Sequence, residues 1–278
     1  MTILVIGASS QIGHFLLPRL HALGEEVLCL SRHADPDDPA WLRGGLPDTM
    51  PATLPPLRAI LSSGPLDGLA TWLSSTHLKG IPHVIATSSM SAESKRESDV
   101  PAERDLSRRL RAAETLLSAS CASRGMPWTL FRPTLVYGAG LDKSLTPMVR
   151  QAARRRVFPV PSGRGQRQPV HAEDIAEAMV RALRNPQARG RTFPIGGGER
   201  LSASEMFHRV RRNAGVLALP LPIPGFALSL ASWLVPRIRG PIHRLDSDLI
   251  ADNTDLERLL DMHPRPFRPD PSMWQPPA

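Results

Sequence analysis

Short apolar runs alternate with longer amphipathic stretches along most of the chain. Short apolar runs bounded by turn residues are typical of buried strands, whereas apolar residues spaced three and four apart are typical of helices. The runs predict strands at 2–6, 26–30, 57–61, 84–86, 128–131 and 192–195, and helices at 66–78, 102–124 and 171–183. Because strands that alternate with helices form parallel sheets, we expect an α/β fold with a Rossmann-type doubly wound parallel sheet.

A glycine turn follows the first predicted strand. Gly7 ends the apolar run, and Gly13 lies at the start of an amphipathic stretch. Such a turn brings backbone N–H groups and the positive end of a helix dipole together, which suits the pyrophosphate of a dinucleotide. Gly7 permits the sharp turn and Gly13 permits close packing, but Ser10 replaces the middle glycine of the usual pattern. The match is partial, and an ordinary strand-to-helix turn is the alternative.

The character of the sequence changes after Gly140. Proline and arginine become more frequent, and helical stretches are joined by irregular segments. We therefore expect residues 1–140, with contributions from about 168–196, to form a dinucleotide-binding Rossmann domain. Residues 141–278 are expected to form mainly a smaller C-terminal α/β cap that binds the substrate.

Two C-terminal segments invite specific expectations. The apolar stretch 217–238 is broken by four prolines. Its uninterrupted part is shorter than the roughly 20 residues that a membrane-spanning helix needs. We expect an amphipathic helix of the cap there, and no membrane association. The proline-rich tail from Asp270 is expected to be loosely ordered.

Cysteine content narrows the class of protein. The chain has 278 residues and two cysteines, Cys29 and Cys121, both in apolar contexts. Buried reduced thiols in a cytoplasmic protein are therefore expected rather than disulfides. The N-terminus enters a strand at once, so no signal peptide is expected. No group of residues predicts a metal site.

The positive charge of the chain is almost entirely arginine. The net charge is +8, and lysine occurs only at Lys79, Lys95 and Lys143. A basic protein can bind nucleic acid, but here the arginines are interspersed with acids, and few aromatic residues are present to stack on bases. Anionic small ligands account for the charge as well, as does an arginine-rich codon usage. We expect a small-molecule substrate and no nucleic acid.

Five motifs follow one another along the chain at residues 6–13 (IGASSQIG), 87–89 (TSS), 132–138 (RPTLVYG), 170–176 (VHAEDIA) and 195–198 (IGGG). In this order and spacing they resemble the short-chain dehydrogenase/reductase superfamily, and most closely its extended or atypical branch, the NAD-dependent epimerase/dehydratase family. The resemblance covers nearly the whole chain. It implies a Rossmann fold, an NAD(P) cofactor and oxidoreductase chemistry.

The resemblance also implies a set of residues that bind the cofactor. Members that prefer NAD often carry an acid after the second strand. Ser31 and Arg32 instead offer a hydroxyl and a guanidinium to a 2′-phosphate, so NADP(H) is favoured over NAD(H), with a solvated arginine as the alternative. The implied set is Gly7, Ser9, Ser10, Gln11, Ile12, Gly13, Ser31, Arg32, Ser62, Ser63, Thr87, Thr134 and Val136.

The catalytic pair of the family is missing from the expected place. Members usually carry Tyr-x-x-x-Lys near the start of the long helix, where the tyrosine exchanges a proton and the lysine lowers its pKa. Glu114 matches a frequent family glutamate, and this register places Leu106 and Leu110 at the two catalytic positions. Residues 96–134 contain no tyrosine or lysine, and Tyr137, the single tyrosine, is expected to be structural.

Three residues remain as candidates for catalysis. Ser89, with Ser88 beside it, matches the catalytic serine or threonine of the family and either polarises a substrate carbonyl or caps the next segment. Lys95 is a candidate for another proton donor, although it lies in a polar loop.

Three further residues are candidates for substrate binding. Arg164 and Arg167 fall where extended members bind a nucleotide-sugar diphosphate, and arginines suit phosphate oxygens. A solvated basic face explains them equally well. His171 is a weaker candidate, for substrate binding and, like Lys95, for an alternative proton donor, because its segment is usually a strand–helix junction.

Two functions follow from these patterns. The first is an NAD(P)H-dependent oxidoreductase that acts on a small carbonyl or hydroxyl compound, phosphorylated or nucleotide-sugar-like, with a non-standard proton donor. The second is a catalytically degenerate NAD(P)-binding sensor or assembly protein. An open pocket that reaches the nicotinamide position, with Ser89 at its wall, favours the enzyme; a filled pocket favours the sensor. Arginines on the long helix crowd the usual dimer surface, so a monomer and a homodimer both stay open.

Overall fold

The computed structural model describes residues 2–32, 34, 37–225 and 245–276. The strands are β1 (Thr2–Ile6), β2 (Val27–Ser31), β3 (Trp41–Arg43), β4 (Leu57–Ser62), β5 (His83–Thr87), β6 (Trp128–Pro133), β7 (Val136–Tyr137), β8 (Val157–Pro161), β9 (Gln166–Arg167), β10 (Val170–His171), β11 (Arg191–Ile195), β12 (Leu201–Ser202) and β13 (Leu219–Ile223). The α-helices are α1 (Gln11–Ala22), α2 (Leu66–Ser75), α3 (Ser91–Ser94), α4 (Pro101–Ala122), α5 (Leu145–Arg155), α6 (Ala172–Arg184), α7 (Ala203–Arg212) and α8 (Thr254–Leu260). Short 3₁₀ turns lie at Pro186–Ala188 and Pro271–Trp274.

Seven strands form one parallel sheet in the order β11-β6-β5-β4-β1-β2-β3. The chain moves outward from β1 to β3 and then returns to β4 on the other side of β1. The order therefore reverses between β1 and β4, and in open α/β sheets ligands bind at the carboxyl ends of the strands beside such a reversal. The predicted doubly wound parallel sheet is confirmed.

Both faces of the sheet are covered by helices, as the buried pattern of β1 requires. Ile3 and Val5 pack into the cluster with α1 and α6, whereas Leu4 and Ile6 pack into the cluster with α2 and α4. Successive side chains of a strand point to opposite faces, so a central parallel strand reads as a continuous apolar run.

A third apolar cluster lies in the C-terminal part of the chain. It joins α5, β8 and α7 to side chains from the end of the chain, among them Phe267 and Trp274. Small two-stranded pairings connect this part: β8 with β13, β9 with β12, and β7 with β10. In sequence, β7 to β10 follow β6, and β12 and β13 follow β11.

The tail is ordered, contrary to the expectation from its proline content. Residues Pro271–Trp274 form a 3₁₀ turn that Asp270 caps by accepting from the Ser272 amide. The Trp274 ring is buried, and its Nε1 donates to the Asn213 carbonyl over 2.9 Å. Apolar burial of one large ring outweighs the low hydrophobicity of the segment as a whole.

The apolar stretch after residue 216 begins as a strand rather than a helix. Strand β13 pairs in parallel with β8, and the side chains of Leu219 and Leu221 are exposed. The expected amphipathic helix falls largely on residues 226–244, which lie outside the described residues. Within the described part of the chain, none of the helices combines the length and the apolarity that crossing a membrane requires.

His83 is buried at the amino end of β5 in a fixed tautomer. The Thr129 hydroxyl donates its proton to the Ala188 carbonyl over 2.8 Å, so its oxygen accepts from His83 Nε2 over 2.9 Å. Burial, with Arg189 nearby, lowers the pKa of His83 to about 4. The His83 ring is therefore neutral in the folded protein above about pH 4.

Removing the tail ring should destabilise the fold. We expect Trp274→Ala to lower the free energy of unfolding by about 3–5 kcal/mol, because it empties a packed site in the C-terminal cluster. Trp274→Phe keeps the six-membered ring but loses the pyrrole part and the hydrogen bond, so it should cost less, about 1–3 kcal/mol. Urea denaturation measures both. Equal stability of Trp274→Ala and the wild type would contradict the packing of the tail.

Acid should weaken the fold through His83. Its folded-state pKa of about 4 lies below the ordinary value of 6.5, so the unfolded chain binds more protons between these values and stability falls as pH drops from 6.5 to 4. One such group gives a slope of up to about 1.4 kcal/mol per pH unit. His83→Gln, which still donates to Thr129, should lower the measured slope by about one proton. An unchanged slope in urea titrations across this range would rule out the buried neutral ring.

Candidate functional site

A cavity of about 730 Å³ opens at the carboxyl edge of the sheet, where the strand order reverses. The ends of β1, β2 and β4 border it, as do the start of α1 and the segment that follows β6. Its walls are formed by Ile6, Gly7, Ser9, Ser10, Gln11, Ile12, Leu30, Ser31, Arg32, Gly44, Gly45, Leu46, Ser63, Gly64, Pro65, Thr134, Leu135, Val136, Leu141, Asp142, Lys143 and Ser144. We call this space the dinucleotide cavity, after the ligand that its shape and position favour.

Two glycines of the first turn are required by geometry. Gly7 has φ +81°, and a Cβ there would lie 2.8 Å from Ser63 Oγ. A Cβ on Gly13 would lie 2.3 Å from the Ala8 carbonyl oxygen. Gly7 therefore turns the chain at the cavity wall, whereas Gly13 lies behind the wall and lets α1 approach β1.

Ser10 is the N-cap residue of α1. Its Oγ accepts from the Gly13 amide over 3.1 Å and lies 2.7 Å from Ser63 Oγ. The first amides of a helix have no partner within it, and those of Gln11 and Ile12 make no hydrogen bond in the described part of the chain. These two amides can receive an anion at the positive end of the helix dipole.

Gln11 adds an unused donor to the same wall. Its side-chain Nε2 is buried and has no hydrogen-bond partner among the described residues. A buried polar atom without a partner is costly in a folded protein, and a bound polar ligand would relieve that cost. The sequence motif marks position 11 only by its place in the turn; the orphaned amide emerges from the structure.

The end of β2 supplies a hydroxyl pair and a guanidinium. Ser31 Oγ lies 3.1 Å from Ser9 Oγ, and both residues border the dinucleotide cavity. Arg32 is exposed at the rim, and its Cγ would lie 3.1 Å from a Cβ on Gly45. Because Gly45 has no side chain, the aliphatic part of the Arg32 side chain can lie against the loop that follows β3.

Two other residues of the predicted cofactor set lie away from the wall. Ser62 is buried, and its Oγ accepts from the Gly64 amide over 3.3 Å, whereas Ser63 borders the cavity. Thr87 ends β5 as a buried residue and is not part of the wall. The segment after β6 returns to the cavity through Thr134 and Val136, and the Thr134 hydroxyl donates to the Gln168 carbonyl.

A second cavity, of about 390 Å³, adjoins the first. Leu135, Lys143 and Ser144 border both spaces. The remaining walls are Ser91, Ser94, Lys95, Glu103, Leu145, Met148, Arg167, Met206, Phe207, Leu245, Ser247, Asp248 and Leu249. An apolar wall with a few charged groups is typical of a small-molecule site, so we call this space the substrate cavity.

Lys95 and Glu103 form an ion pair in the substrate cavity. Lys95 Nζ lies 3.5 Å from Glu103 Oε1, and Ser98 Oγ donates to the other carboxylate oxygen over 2.8 Å. Only 14% of the Lys95 side chain and 10% of the Glu103 side chain are exposed. Glu103 lies in the first turn of α4 and carries no motif signal, so the sequence did not single it out.

The predicted substrate residues separate in the structure. Arg167 is buried in the wall of the substrate cavity, and its Nη1 donates to the Gln166 and Ser247 carbonyls. Arg164 is exposed and borders neither cavity; its backbone amide donates to Asp246. Of the two arginines, only Arg167 can therefore contact a ligand in this space as it stands.

His171 is buried at the start of α6 and is held by local contacts. Its Nδ1 accepts from the Glu173 amide at the start of α6, and its ring packs against Phe15 and Tyr137. Burial, with the Arg265 charge as a second cause, lowers the pKa of His171 to about 4. The neutral ring borders neither cavity, which fits the strand–helix junction that the sequence offered as the alternative.

The serine pair after β5 is committed to local hydrogen bonds. The Ser88 hydroxyl donates to Glu114 Oε1 over 2.5 Å. Ser89 Oγ accepts from the Ser91 amide over 3.1 Å, and neither serine is part of the described walls of these two cavities. The open substrate cavity that favours an enzyme is present, but Ser89 is not at its wall.

Glu114 is the centre of an ion network behind the substrate cavity. It receives two hydrogen bonds from Arg132, at 2.9 and 2.5 Å, and Arg132 also donates to Glu93 over 2.9 Å. Hydrogen bonding to Glu114 raises the pKa of Arg132. Leu106 and Leu110, which lie on the same helix as Glu114, are half-buried and border neither cavity.

Two curated proteins are similar to this chain in sequence. A UDP-glucose 4-epimerase of Vibrio cholerae is 27% identical over 158 residues, which are 55% of this chain and 46% of that protein, so the chain spans about half of its length. The photosystem II assembly factor Ycf39 of Trieres chinensis is 23% identical over 255 residues, which are 84% of this chain and 76% of that protein.

A solved structure shares the fold along nearly the whole chain. The UDP-glucuronic acid 4-epimerase of Bacillus cereus in complex with NAD superposes with a TM-score of 0.73 at 16% identity, covering 99% of this chain and 97% of that one. Residues 68–196 match the model of the NAD-dependent epimerase/dehydratase family. This stretch runs from α2 to the end of β11 and holds three of the five motifs complete, with the first residues of a fourth. The chain is therefore similar to the NAD-dependent epimerase/dehydratase family over residues 68–196, slightly less than half of its length.

Proposed function

We propose that the protein is an NAD(P)H-dependent oxidoreductase that acts on a small carbonyl or hydroxyl compound and uses a non-standard proton donor. The observation that carries this proposal is the contact between the two cavities. Leu135, Lys143 and Ser144 border both, so a ligand at the inner end of the dinucleotide cavity would adjoin a ligand in the substrate cavity.

The dinucleotide cavity fits the cofactor at its phosphate end. The turn at Gly7 has no space for a side chain, and the free amides of Gln11 and Ile12 lie at the start of α1. The orphaned Nε2 of Gln11 is a further donor. These groups would hold the pyrophosphate, which is acceptor-rich and anionic. When bound, the cofactor supplies a hydride and its two electrons.

The rest of the cofactor would follow the walls of the cavity. Ser31 and Arg32 would hold the adenosine ribose, with Ser9 behind Ser31, and Ser63 would adjoin the same ribose. Ser62 would act through the turn that it stabilises. Thr134 and Val136 would approach the nicotinamide through their backbone groups, because the Thr134 hydroxyl is already used by Gln168. Thr87 would support this end from behind the wall.

NADP(H) is the preferred cofactor in this proposal. The rim of the cavity at the end of β2 presents a guanidinium and hydroxyls. A guanidinium can donate two parallel hydrogen bonds to a phosphate, which is the group that distinguishes NADP from NAD. The relative solved with a dinucleotide holds NAD, so this preference is specific to the rim of this chain.

The substrate cavity favours a small compound with negative charge. Its walls carry the cations Lys95, Lys143 and Arg167 against the acids Glu103 and Asp248. Among the described residues of this wall one net positive charge remains, and the other walls are largely apolar. A phosphorylated or nucleotide-sugar-like compound fits this chemistry, and the similarity to a UDP-sugar epimerase points the same way.

A sensor or assembly protein is the second candidate. The Ycf39 assembly factor matches 84% of this chain, a larger share than the epimerase matches. In the register set by Glu114, Leu106 and Leu110 would stand at the positions of the proton-transferring pair, and neither can exchange a proton. In this case the dinucleotide would bind without turnover.

Cofactor binding to purified protein, followed by fluorescence or calorimetry, tests the first part of the proposal. We expect NADPH to bind more tightly than NADH, and Arg32→Ala to weaken NADPH by about tenfold to a hundredfold while changing NADH little, because a charged hydrogen bond contributes about 1.5–3 kcal/mol. Arg184→Ala removes the same charge at the far end of α6 and should change neither. Equal effects of Arg32→Ala on both cofactors would overturn the NADP preference.

Turnover separates the two candidates. We expect the protein to consume NADPH when it is mixed with phosphorylated aldehydes and ketones, and to do so more slowly with uncharged analogues, because the substrate cavity is cationic. Cofactor absorbance measures the rate. Tight NADPH binding without consumption across charged and uncharged carbonyl compounds would support the sensor or assembly protein instead.

A further inference from the structure

Lysine is rare in this chain and is concentrated at the substrate cavity. Of the 34 lysines and arginines, only Lys79, Lys95 and Lys143 are lysine. Two of these three border the substrate cavity, although that wall makes up a small part of the chain. Arginine is the basic residue at nearly all other positions, so the wall of the substrate cavity is unusual in carrying two lysines.

The two cations differ in one property that matters for catalysis. A guanidinium does not give up its proton in proteins, whereas an ammonium does. The ordinary pKa of lysine, about 10.4, is close to that of tyrosine, about 10. An ammonium is therefore close in acidity to an unperturbed phenol, and it also carries a charge that favours a developing oxyanion.

Lys95 is the lysine that is built into the site. Its side chain is largely buried and is held against Glu103, which Ser98 fixes in turn. Lys143 also borders the cavity but is exposed, and Lys79 is exposed far from both cavities in the loop after α2. Holding one ammonium by a buried carboxylate restricts its rotamers, as a proton donor requires.

Resting on the proposed function, we propose that Lys95 is the proton donor of the reaction, in place of the family's tyrosine, and that Glu103 is the residue that positions it. In the direction of reduction, the carbonyl carbon receives the hydride and both electrons from the nicotinamide cofactor. One N–H bond of the Lys95 ammonium breaks and an O–H bond forms on the substrate. The cofactor is oxidised, the carbonyl is reduced to a hydroxyl, and the neutral amine takes a proton back from water.

Four other charged residues among the described ones border the substrate cavity together with Lys95. Glu103 lies on α4, Lys143 precedes α5, Arg167 lies on β9, and Asp248 lies in the C-terminal segment. A positive nicotinamide ring in the oxidised cofactor would be one more cation beside this group. Binding of NADP⁺ should therefore make the Lys95 ammonium more acidic, whereas binding of NADPH, whose ring is neutral, should do so much less.

The small number of lysines makes this effect measurable without a known substrate. Reductive methylation with ¹³C-formaldehyde gives one NMR signal for each lysine and one for the N-terminal amine, and Lys79→Arg, Lys95→Arg and Lys143→Arg assign the three lysine signals. The probes are NADP⁺ and NADPH, added to the full chain, with cofactor fluorescence as the separate measure of binding. Lys79 is the internal control.

The expected result is a shift of the Lys95 titration to lower pH with NADP⁺ relative to NADPH, while Lys79 stays constant. If Lys95 titrates like Lys79 although fluorescence shows that the cofactor binds, or if only Lys143 responds, Lys95 is not beside the nicotinamide and the inference is wrong while the proposed function stands. If no dinucleotide binds, the proposed function fails and this inference fails with it.

Turnover of a carbonyl compound that the wild type reduces adds a second readout. Lys95→Arg keeps the charge and the pair with Glu103 but cannot donate, so it should lower kcat by about 100-fold or more and leave NADPH binding unchanged. Lys79→Arg is the matched control and should leave kcat unchanged. Glu103→Gln should lower kcat less and move its pH profile. Near wild-type kcat in a folded Lys95→Arg protein would overturn the assignment.

Discussion

The buried ion pair between Glu114 and Arg132 is the interaction on which the site depends. It fastens the long helix α4 to the end of β6, and through the second bond to Glu93 it also holds α3. The Ser88 hydroxyl adds the end of β5 to the same carboxylate. Removing either charge would leave the other in a largely buried place with one remaining partner, Glu93 for Arg132 or Ser88 for Glu114, which is more costly than the pair is stabilising.

This anchoring explains why Lys95 and Glu103 meet. Lys95 follows α3 directly, and Glu103 lies in the first turn of α4, so the two groups belong to two elements that the ion pair holds in place. A second contact supports the arrangement, because the buried Ser107 hydroxyl donates to the Ala92 carbonyl over 2.6 Å. The polar loop that carries Lys95 is thus fixed at both ends by buried hydrogen bonds rather than by apolar packing.

The sheet could be predicted from the sequence because its information is local. A buried strand such as β1 is recognised by its apolar run, and the turn at Gly7 is recognised by a motif of a few residues. The phosphate end of the dinucleotide cavity follows from the same motif. The substrate cavity could not be predicted, because its walls come from α3, α4, the start of α5, β9 and the C-terminal segment, which only the tertiary fold brings together. Glu103 carries no local pattern, and the ordering of the tail depends on a single ring, Trp274, whose partners lie far along the chain.

Strand β13 has a consequence for association. The backbone N–H and C=O groups of its odd-numbered residues point toward β8. The Leu219 amide donates to the Arg156 carbonyl, and the Ile223 carbonyl accepts from the Ser162 amide. The residues that face away along the strand are Pro220 and Pro222, which have no N–H group. The outer edge of this strand therefore offers carbonyl oxygens and no donors, and it is a poor template for a further strand despite the exposed Leu219 and Leu221 side chains. Prolines at two alternate positions are enough to prevent a further strand from pairing with this edge, and so to prevent edge-to-edge association there.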